Sequence, residues 1–204
     1  MTHGSRPFAD VVAARRMVRN FRDEPLPPGC VDELLAIAQR GPSAGFVQAT
    51  EYLVLEGSGE TGRYWDITLP PTARDDFPWP GLLTAPVLCV VAVDPSAYVR
   101  RYDEPDKRAS GLGASESSWP IPYWHVDGGA SVMLLLLAAV DAGLGACFFG
   151  LFDHEADVAD AFGIPESRRL LGTVALGHPA PDRPSSSARR GRRPLGEVVH
   201  RHRW

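Results

Sequence analysis

VDGGASVMLLLLAAVDAGLGACFFG, residues 126–150, carries the clearest architectural signal in the chain. Through Gly143 it reads as a helix that is apolar all round, and such a helix belongs in a core or at a subunit interface. Gly143 is expected just past the helix end, where a left-handed residue closes a helix without steric cost. GACFFG (145–150) then reads as a short buried strand.

Working outward, Asp153 is expected to cap a helix that ends at Gly163, before Ile164 and Pro165. RLLGTVALG (169–177) is the last clear strand. On the other side, DEPDKRASGLGASESSW (103–119) is polar and glycine-rich and reads as a mobile loop. APVLCVVAVD (85–94) is nearly all apolar, hence a strand buried on both faces. Asp94–Pro95 makes an N-cap and first-turn pair for a helix through Tyr102. EYLVLE (51–56) is a further strand. A helix over Val31–Arg40 puts Val31, Leu34, Leu35 and Ala38 on one face and stops at Gly41–Pro42. FADVVAARR (8–16) reads as a short amphipathic helix with Phe8, Val11 and Val12 on one face. Strands and helices mix without a βαβ repeat, so the expected class is α+β, in one domain over residues 1–204.

The 204 residues suffice for one sizeable core, and 44% hydrophobic with 23% charged residues is ordinary for a globular protein. A net charge of −4 argues against a general nucleic-acid binder. Cys30, Cys89 and Cys147 match no zinc or disulfide spacing, so buried thiols of a reducing cytoplasm are expected. The longest wholly apolar run, Val132–Val140, is too short to span a bilayer, and the opening residues hold no apolar signal segment.

GSGETG (57–62) spells G-x-G-x-x-G after a strand. A dinucleotide site needs a long helix next. RYWDITLPP follows, and Pro70–Pro71 are expected to leave no room for it, so a hairpin turn or loop is the reading. His125, His200 and His202 lack partners at metal-ligand spacing, and no metal site is expected. Ser43 in GPSAG lacks the nucleophile-elbow pattern. With no evident acid, base or nucleophile, the sequence suits an enzyme whose cofactor carries the chemistry.

The arginines of ARRMVRNF point to an anion. On a helix, Arg15 and Arg19 share a face, and two guanidiniums repel unless an anion lies between them. ARRGRRPLGEVV near the other terminus is a second basic patch. A solvated face is the alternative for both.

Several stretches together resemble the FMN-dependent nitroreductase family. RRMVRNF resembles its N-terminal R-x-S-x-R/K-x-F signature, and LLAIAQRGPSAGFVQ is similar to its A-P-S-x-x-N-x-Q turn. LLLLAAVDAGLGACFFG resembles its central helix and G-L-G turn. FGIPESRRLLGTVALGHPAP and RRGRRPLGEVV resemble its C-terminal segments. The matches run in family order from about residue 8 to residue 199.

The resemblance implies an α+β sandwich with a central, mainly antiparallel sheet flanked by helices. It also implies an intertwined homodimer with FMN at the interface and residues 180–204 as a basic extension serving dimer and phosphate site. Matched by position, Arg15 contacts the FMN phosphate, Arg16 assists, and Arg19 lies nearer the ribityl and pyrimidine, where it would stabilise anionic reduced flavin. Arg190 and Arg192 match the C-terminal phosphate pair. Pro42, Ser43, Ala44 and Gln48 match the turn at the isoalloxazine edge. Phe148, Phe149 and Gly150 match the segment offering backbone N–H groups to N5 and O4. Phe46 would line the substrate pocket, Tyr123 and Trp124 would either reach toward it or be buried aromatic packing, and Trp65, Phe77 and Trp79 would come from a covering loop. The implied reaction is ping-pong: NAD(P)H delivers hydride to FMN, then a nitroaromatic, quinone or similar small acceptor uses the same pocket. Met17 stands where the family has serine and Phe46 where it has asparagine, each removing one polar contact to the cofactor. The alternatives are another flavin reaction on the same fold, such as dehydrogenation or dehalogenation, or a non-catalytic flavin-binding protein. No nucleic acid or membrane partner is expected.

Overall fold

The computed structural model describes residues 6–183 and 185–204. Four strands form one sheet in the order β1 (Thr50–Glu56), β2 (Val87–Val93), β4 (Arg169–Gly177), β3 (Gly145–Phe149), and every neighbouring pair is antiparallel. The uniformly apolar β2 lies between β1 and β4 and is buried at every position, as its composition requires.

Period-two alternation along β2 divides the core. Cys89 and Val91 pack with α2 (Cys30–Ala38) and α6 (Tyr123–Asp141) on one face of the sheet. Leu88 and Val90 pack with Tyr64, Trp65 and Val158 on the other, contributed by α3 (Gly57–Thr68) and α7 (Glu155–Phe162). Three shorter helices complete the set among the described residues: α1 (Phe8–Ala14), α4 (Pro71–Arg74) and α5 (Pro95–Tyr102). The expected α+β sandwich is the observed one.

α6 begins at Tyr123, three residues before its apolar run suggests, because Pro122 fixes the preceding turn. It ends as expected: Gly143 takes φ 75°, its N–H donates to the Val140 carbonyl at 3.0 Å, and Leu144 N–H donates to the Ala139 carbonyl at 2.8 Å. Among the described residues, this helix alone is long and apolar enough, with a mean hydropathy of 1.4, to cross a membrane. Here Val132, Leu135, Leu136 and Ala139 instead fill the core against the sheet. Its other side leaves Val126 and Met133, two turns apart, about half exposed.

Four local expectations need correction. GSGETG opens the helix α3 rather than a hairpin turn. Pro70 does not forbid the helix; it only ends it, with Leu69 pushed to φ −147° before the proline. The dinucleotide reading still fails, because β1 and β2 are antiparallel. Residues 103–119 are anchored rather than loose: Trp119 is buried against Tyr98, Tyr102 and Trp124, and its Nε1–H donates to the Leu112 carbonyl at 3.0 Å. Asp153 lies in a 3-10 turn, Phe152–His154, and α7 starts at Glu155 without a side-chain cap. Finally, α1 stops at Ala14, so Arg15 and Arg19 do not share a helix face. Of the face drawn for α1, only Val11 is buried, while Phe8 and Val12 stay exposed.

Candidate functional site

Past α1 the chain runs extended along the outer edge of β3. Val18 N–H donates to the Ala146 carbonyl at 2.9 Å, and the Val18 side chain is buried above Gly145. Extended backbone repeats every two residues, which sets Arg15, Met17 and Arg19 in one register, and Arg16 between them borders the same space. The two-residue period therefore groups the arginines that a helix was expected to group.

The C-terminal segment meets them there. Arg22 N–H donates to the His178 carbonyl, Ala180 N–H to the Asn20 carbonyl, and Asn20 Nδ2 to the Pro181 carbonyl. This short ladder delivers Asp182, whose Oδ2 accepts from Arg19 N–H at 2.8 Å and from Arg16 Nη1 at 3.3 Å. Arg15, Arg16, Met17, Arg19, Arg183 and Arg192 all border one cavity of about 690 Å³. The two basic patches, far apart in sequence, thus face one space. Arg190 lies on the neighbouring 3-10 turn, Ser186–Arg190, and is exposed.

Arg19 also borders a second, apolar pocket of about 370 Å³. Trp65, Phe77 and Trp79 line it, as do Phe148, Phe149 and Gly150. Trp65 comes from α3, not from a loop, and stacks on Phe149 with centroids 5.6 Å apart. Trp79 holds the Arg19 guanidinium over its ring at 5.2 Å. Cys147 lines the same pocket; burial pushes its thiol up, and the nearby Arg19 offsets only part of that rise. It stays a thiol and offers no nucleophile.

β3 is an edge strand, so its amides alternate between β4 and the outside. Ala146 faces out, as its bond from Val18 requires, and Phe148 with it. The Phe148 N–H donates to Met17 Sδ at 3.4 Å. Phe149 turns toward its β4 partner Thr173. Met17, where the sequence suggested a lost hydroxyl, therefore has a role of its own in closing the strand edge.

The turn Pro42–Gln48 lies elsewhere, leading into β1 on the opposite edge of the sheet. Asp127 of α6, buried at 6% exposure, accepts from Ala44 N–H at 2.8 Å and from the Tyr98 hydroxyl at 2.7 Å. Burial, then the Asp127 carboxyl, push the Tyr98 hydroxyl pKa up, so it serves as a donor. Arg101 Nε donates to the Gly45 carbonyl, and Ser43 Oγ accepts from Gln48 N–H. Gly45 takes φ 64° with the Tyr102 ring so close that an added Cβ would lie 2.8 Å from it. Phe46 projects from this turn at 76% exposure. Tyr123 is partly exposed, whereas Trp124 is buried in the aromatic cluster with Tyr98 and Trp119 and serves as packing.

One chain thus joins Arg15, Arg16, Arg19 and Arg192 with Phe148–Gly150, and does not join them to Pro42–Gln48. Asp182, Arg183, Asp127 and Tyr98 are the participants that sequence reasoning missed. For Asp182 a signal existed: it directly precedes a tail in which Arg dominates and Glu197 is the only acid. Among the described residues no group of three or more His, Cys, Asp or Glu side chains is placed to hold a metal.

The Nitroreductase family profile matches residues 12–76 and 69–178. A 4-nitrobenzoate reductase of Nocardioides sp. (strain LMS-CY) is 27% identical over 219 aligned positions, covering 94% of this chain and 88% of that protein. The crystal structure of a nitroreductase family protein from Streptococcus pneumoniae TIGR4 superposes with a TM-score of 0.74 at 18% identity, covering 96% of this chain and all of that one. The FMN complex of a Desulfovibrio desulfuricans protein gives a TM-score of 0.71 at 23% identity, covering 98% of each chain. With the profile spanning most of the sequence and the fold shared end to end, this chain belongs to the Nitroreductase family.

Proposed function

We propose that the chain is an FMN-dependent oxidoreductase that works as a cytoplasmic homodimer. It takes hydride from NAD(P)H and passes reducing equivalents to a nitroaromatic, quinone or similar small acceptor. The observation that carries this reading is the meeting of Arg15, Arg16, Arg19 and Arg192 around one cavity that adjoins an apolar, aromatic pocket at Arg19.

The donor set fits FMN. Its phosphate carries nearly two negative charges, and the arginine cavity supplies guanidiniums from both termini, suited to paired hydrogen bonds with phosphate oxygens. Its ring system is flat and largely apolar, matching the pocket walled by Trp65, Trp79 and Phe149. When bound, FMN supplies the hydride acceptance and release that no side chain here can perform. Arg15, Arg16 and Arg192 would neutralise the phosphate, with Arg190 on the adjoining turn as the remaining member of the C-terminal pair. Arg19, held by Trp79, keeps a fixed positive charge at the junction of the two cavities, where it favours negative charge on the adjoining ring edge. Continuing the edge-strand alternation past Phe148, the Gly150 N–H faces outward and is the amide available to the ring. The aromatic walls exclude water from the reacting edge.

What one chain leaves apart supports the dimer. The turn holding Pro42, Ser43, Ala44, Phe46 and Gln48 lies three strand spacings, about 14 Å, from the arginine edge. A second copy brings such a turn, with Tyr123, to the other protomer's flavin. Exposed Val126 and Met133 of α6, Ile37 of α2, and Phe8 and Val12 of α1 supply an apolar surface for that contact. The extension 180–204 adds exposed Leu195 and Val198. The unpaired thiols Cys30, Cys89 and Cys147 suit a reducing compartment.

The test is an absorbance spectrum of purified protein followed by anaerobic titration with NADH and NADPH. Bound flavin bleached by at least one nucleotide is expected. A protein that neither carries nor takes up FMN overturns the reading. A flavin that neither nucleotide bleaches overturns its reductase part and favours flavin binding without turnover.

A further inference from the structure

The arginine cavity and the apolar pocket do not exhaust the space around Arg19. A third cavity, of about 460 Å³, opens beside them, and Arg19 and Trp79 border both it and the apolar pocket. Its walls include the Trp79 indole and three prolines, Pro78, Pro80 and Pro181, and Arg183. The Arg183 guanidinium is fixed toward this space: Nη2 donates to the carbonyl of Pro78, which borders this cavity and not the arginine cavity. That carbonyl is neutral, and among the described residues no carboxylate pairs with Arg183. Asp182, its neighbour in sequence, is engaged elsewhere, where its Oδ2 accepts from Arg19 N–H and Arg16 Nη1. The cavity thus combines apolar walls with an unmatched positive charge.

A nicotinamide dinucleotide is longer than the apolar pocket. Its nicotinamide must reach the flavin ring there, and the diphosphate and adenosine attached to it must leave through an adjoining opening. The arginine cavity is taken by the cofactor phosphate in the reading above. A second opening begins at Asp153 and is bordered by Glu155, Asp160 and Glu166. Of its two arginines, Arg168 is already paired with Glu51 and Asp94. Phosphates are repelled from that side. The Arg183 cavity is the opening whose charge suits them.

We infer that the Arg183 cavity seats the adenosine end of the hydride donor, with the purine against Trp79 and the prolines and the 2′-phosphate of NADPH on Arg183, so that the protein prefers NADPH to NADH. The inference rests on the flavin reading above and names its donor. Arg19 stands at the passage between the two cavities, where the diphosphate crosses. Arg183 does not border the apolar pocket and lies beyond that passage, where the adenosine ribose falls. A guanidinium gains paired, charge-assisted bonds from a phosphate and far less from the 2′-hydroxyl that NADH carries there. A planar purine gains stacking area on an indole.

The test compares NADPH and NADH as donors to FMN-loaded wild type and Arg183→Ala, with one acceptor at fixed concentration. Wild type should favour NADPH in kcat/KM by about tenfold, and Arg183→Ala should bring the two donors within about twofold, through KM. Any effect of the substitution on FMN falls on both donors and cancels in the ratio. Arg183→Lys should keep part of the preference, since it retains the charge but not the fork. Titration calorimetry of the same FMN-loaded proteins, without turnover, should show adenosine 2′,5′-bisphosphate binding wild type about tenfold more tightly than 5′-AMP, with that margin lost in Arg183→Ala. A wild type that favours NADH, equal losses for the two donors, or a margin that survives in the variant overturns the inference. Failure of the underlying reading shows separately, as wild-type protein that holds no FMN or whose flavin neither nucleotide bleaches.

Discussion

The two edges of the sheet are built on opposite principles. At the β3 edge, Arg15, Arg16, Arg19, Arg183 and Arg192 surround an open cavity, and the carboxylate of Asp182 faces them. At the β1 edge the turn Pro42–Gln48 is held by the buried Asp127 carboxyl, which accepts from a tyrosine hydroxyl and a backbone amide, and by Arg101, whose charge is already matched by Asp106. The first arrangement leaves positive charge unneutralised, which is useful only to an anionic ligand. The second satisfies its polar groups internally and spends its strain on presenting Phe46. One edge is open and basic; the other is closed and rigid.

The sharpest way to break that contrast is to remove Asp127. Asp127→Ala orphans the Ala44 amide and the Tyr98 hydroxyl in a buried site, and should cost about 3 kcal/mol of stability. Tyr98→Phe removes one of the two bonds and should cost about 1 kcal/mol. Denaturant unfolding of both variants reads this directly. If Asp127→Ala costs no more than a surface change such as Arg16→Ala, the turn is not held as described.

At the other edge the expectation reverses. Arg15→Ala and Arg192→Ala should each weaken FMN binding by about 2 kcal/mol, roughly thirtyfold, while shifting stability within about 0.5 kcal/mol. The loss should be far smaller for riboflavin, which lacks the phosphate, and should shrink at high salt. Fluorescence titration of both flavins measures it. Equal losses for FMN and riboflavin would show that these arginines do not address a phosphate.

The same contrast explains what could be read from the sequence. β2 is legible because uniform apolarity has one structural meaning, and α6 because nothing in it suits a wetted face. The arginines were legible as charge, yet their grouping was drawn on a helix that ends at Ala14. Only the pairing of Val18 with Ala146, a contact between distant residues, reveals the extended period that aligns them. Asp127 was invisible for a related reason. An acid near the start of an apolar helix announces a partner without naming it, and one of its two partners, the Ala44 amide, carries no side-chain signature. GSGETG misled because Pro70 was counted as forbidding a helix that had space to form before it.

Asp182 tests whether the arginine edge is tuned or merely basic. Its side chain is 4% exposed and draws Arg16 into an ion pair. Asp182→Asn keeps an oxygen acceptor for the Arg19 amide but removes the charge that competes with a phosphate for Arg16. FMN should bind about threefold more tightly, and stability should fall by about 1 kcal/mol as the charge-assisted bonds weaken. Weaker FMN binding would instead make Asp182 a positioning residue whose charge the arginines need.

Met17 gives the smallest and most discriminating change. A hydroxyl at this position borders the arginine cavity and can donate to a phosphate, whereas the thioether accepts the Phe148 N–H and packs against both core clusters. Met17→Ser therefore trades a strand-edge contact for a cofactor contact. It should tighten FMN about twofold to threefold, the value of one modest hydrogen bond. It should also lower stability by about 1 kcal/mol, because apolar area is lost and the Phe148 amide loses its partner. Titration and unfolding must move in opposite directions. If both move down, Met17 belongs to the binding surface itself, and the division of labour between the two sides of residue 17 fails.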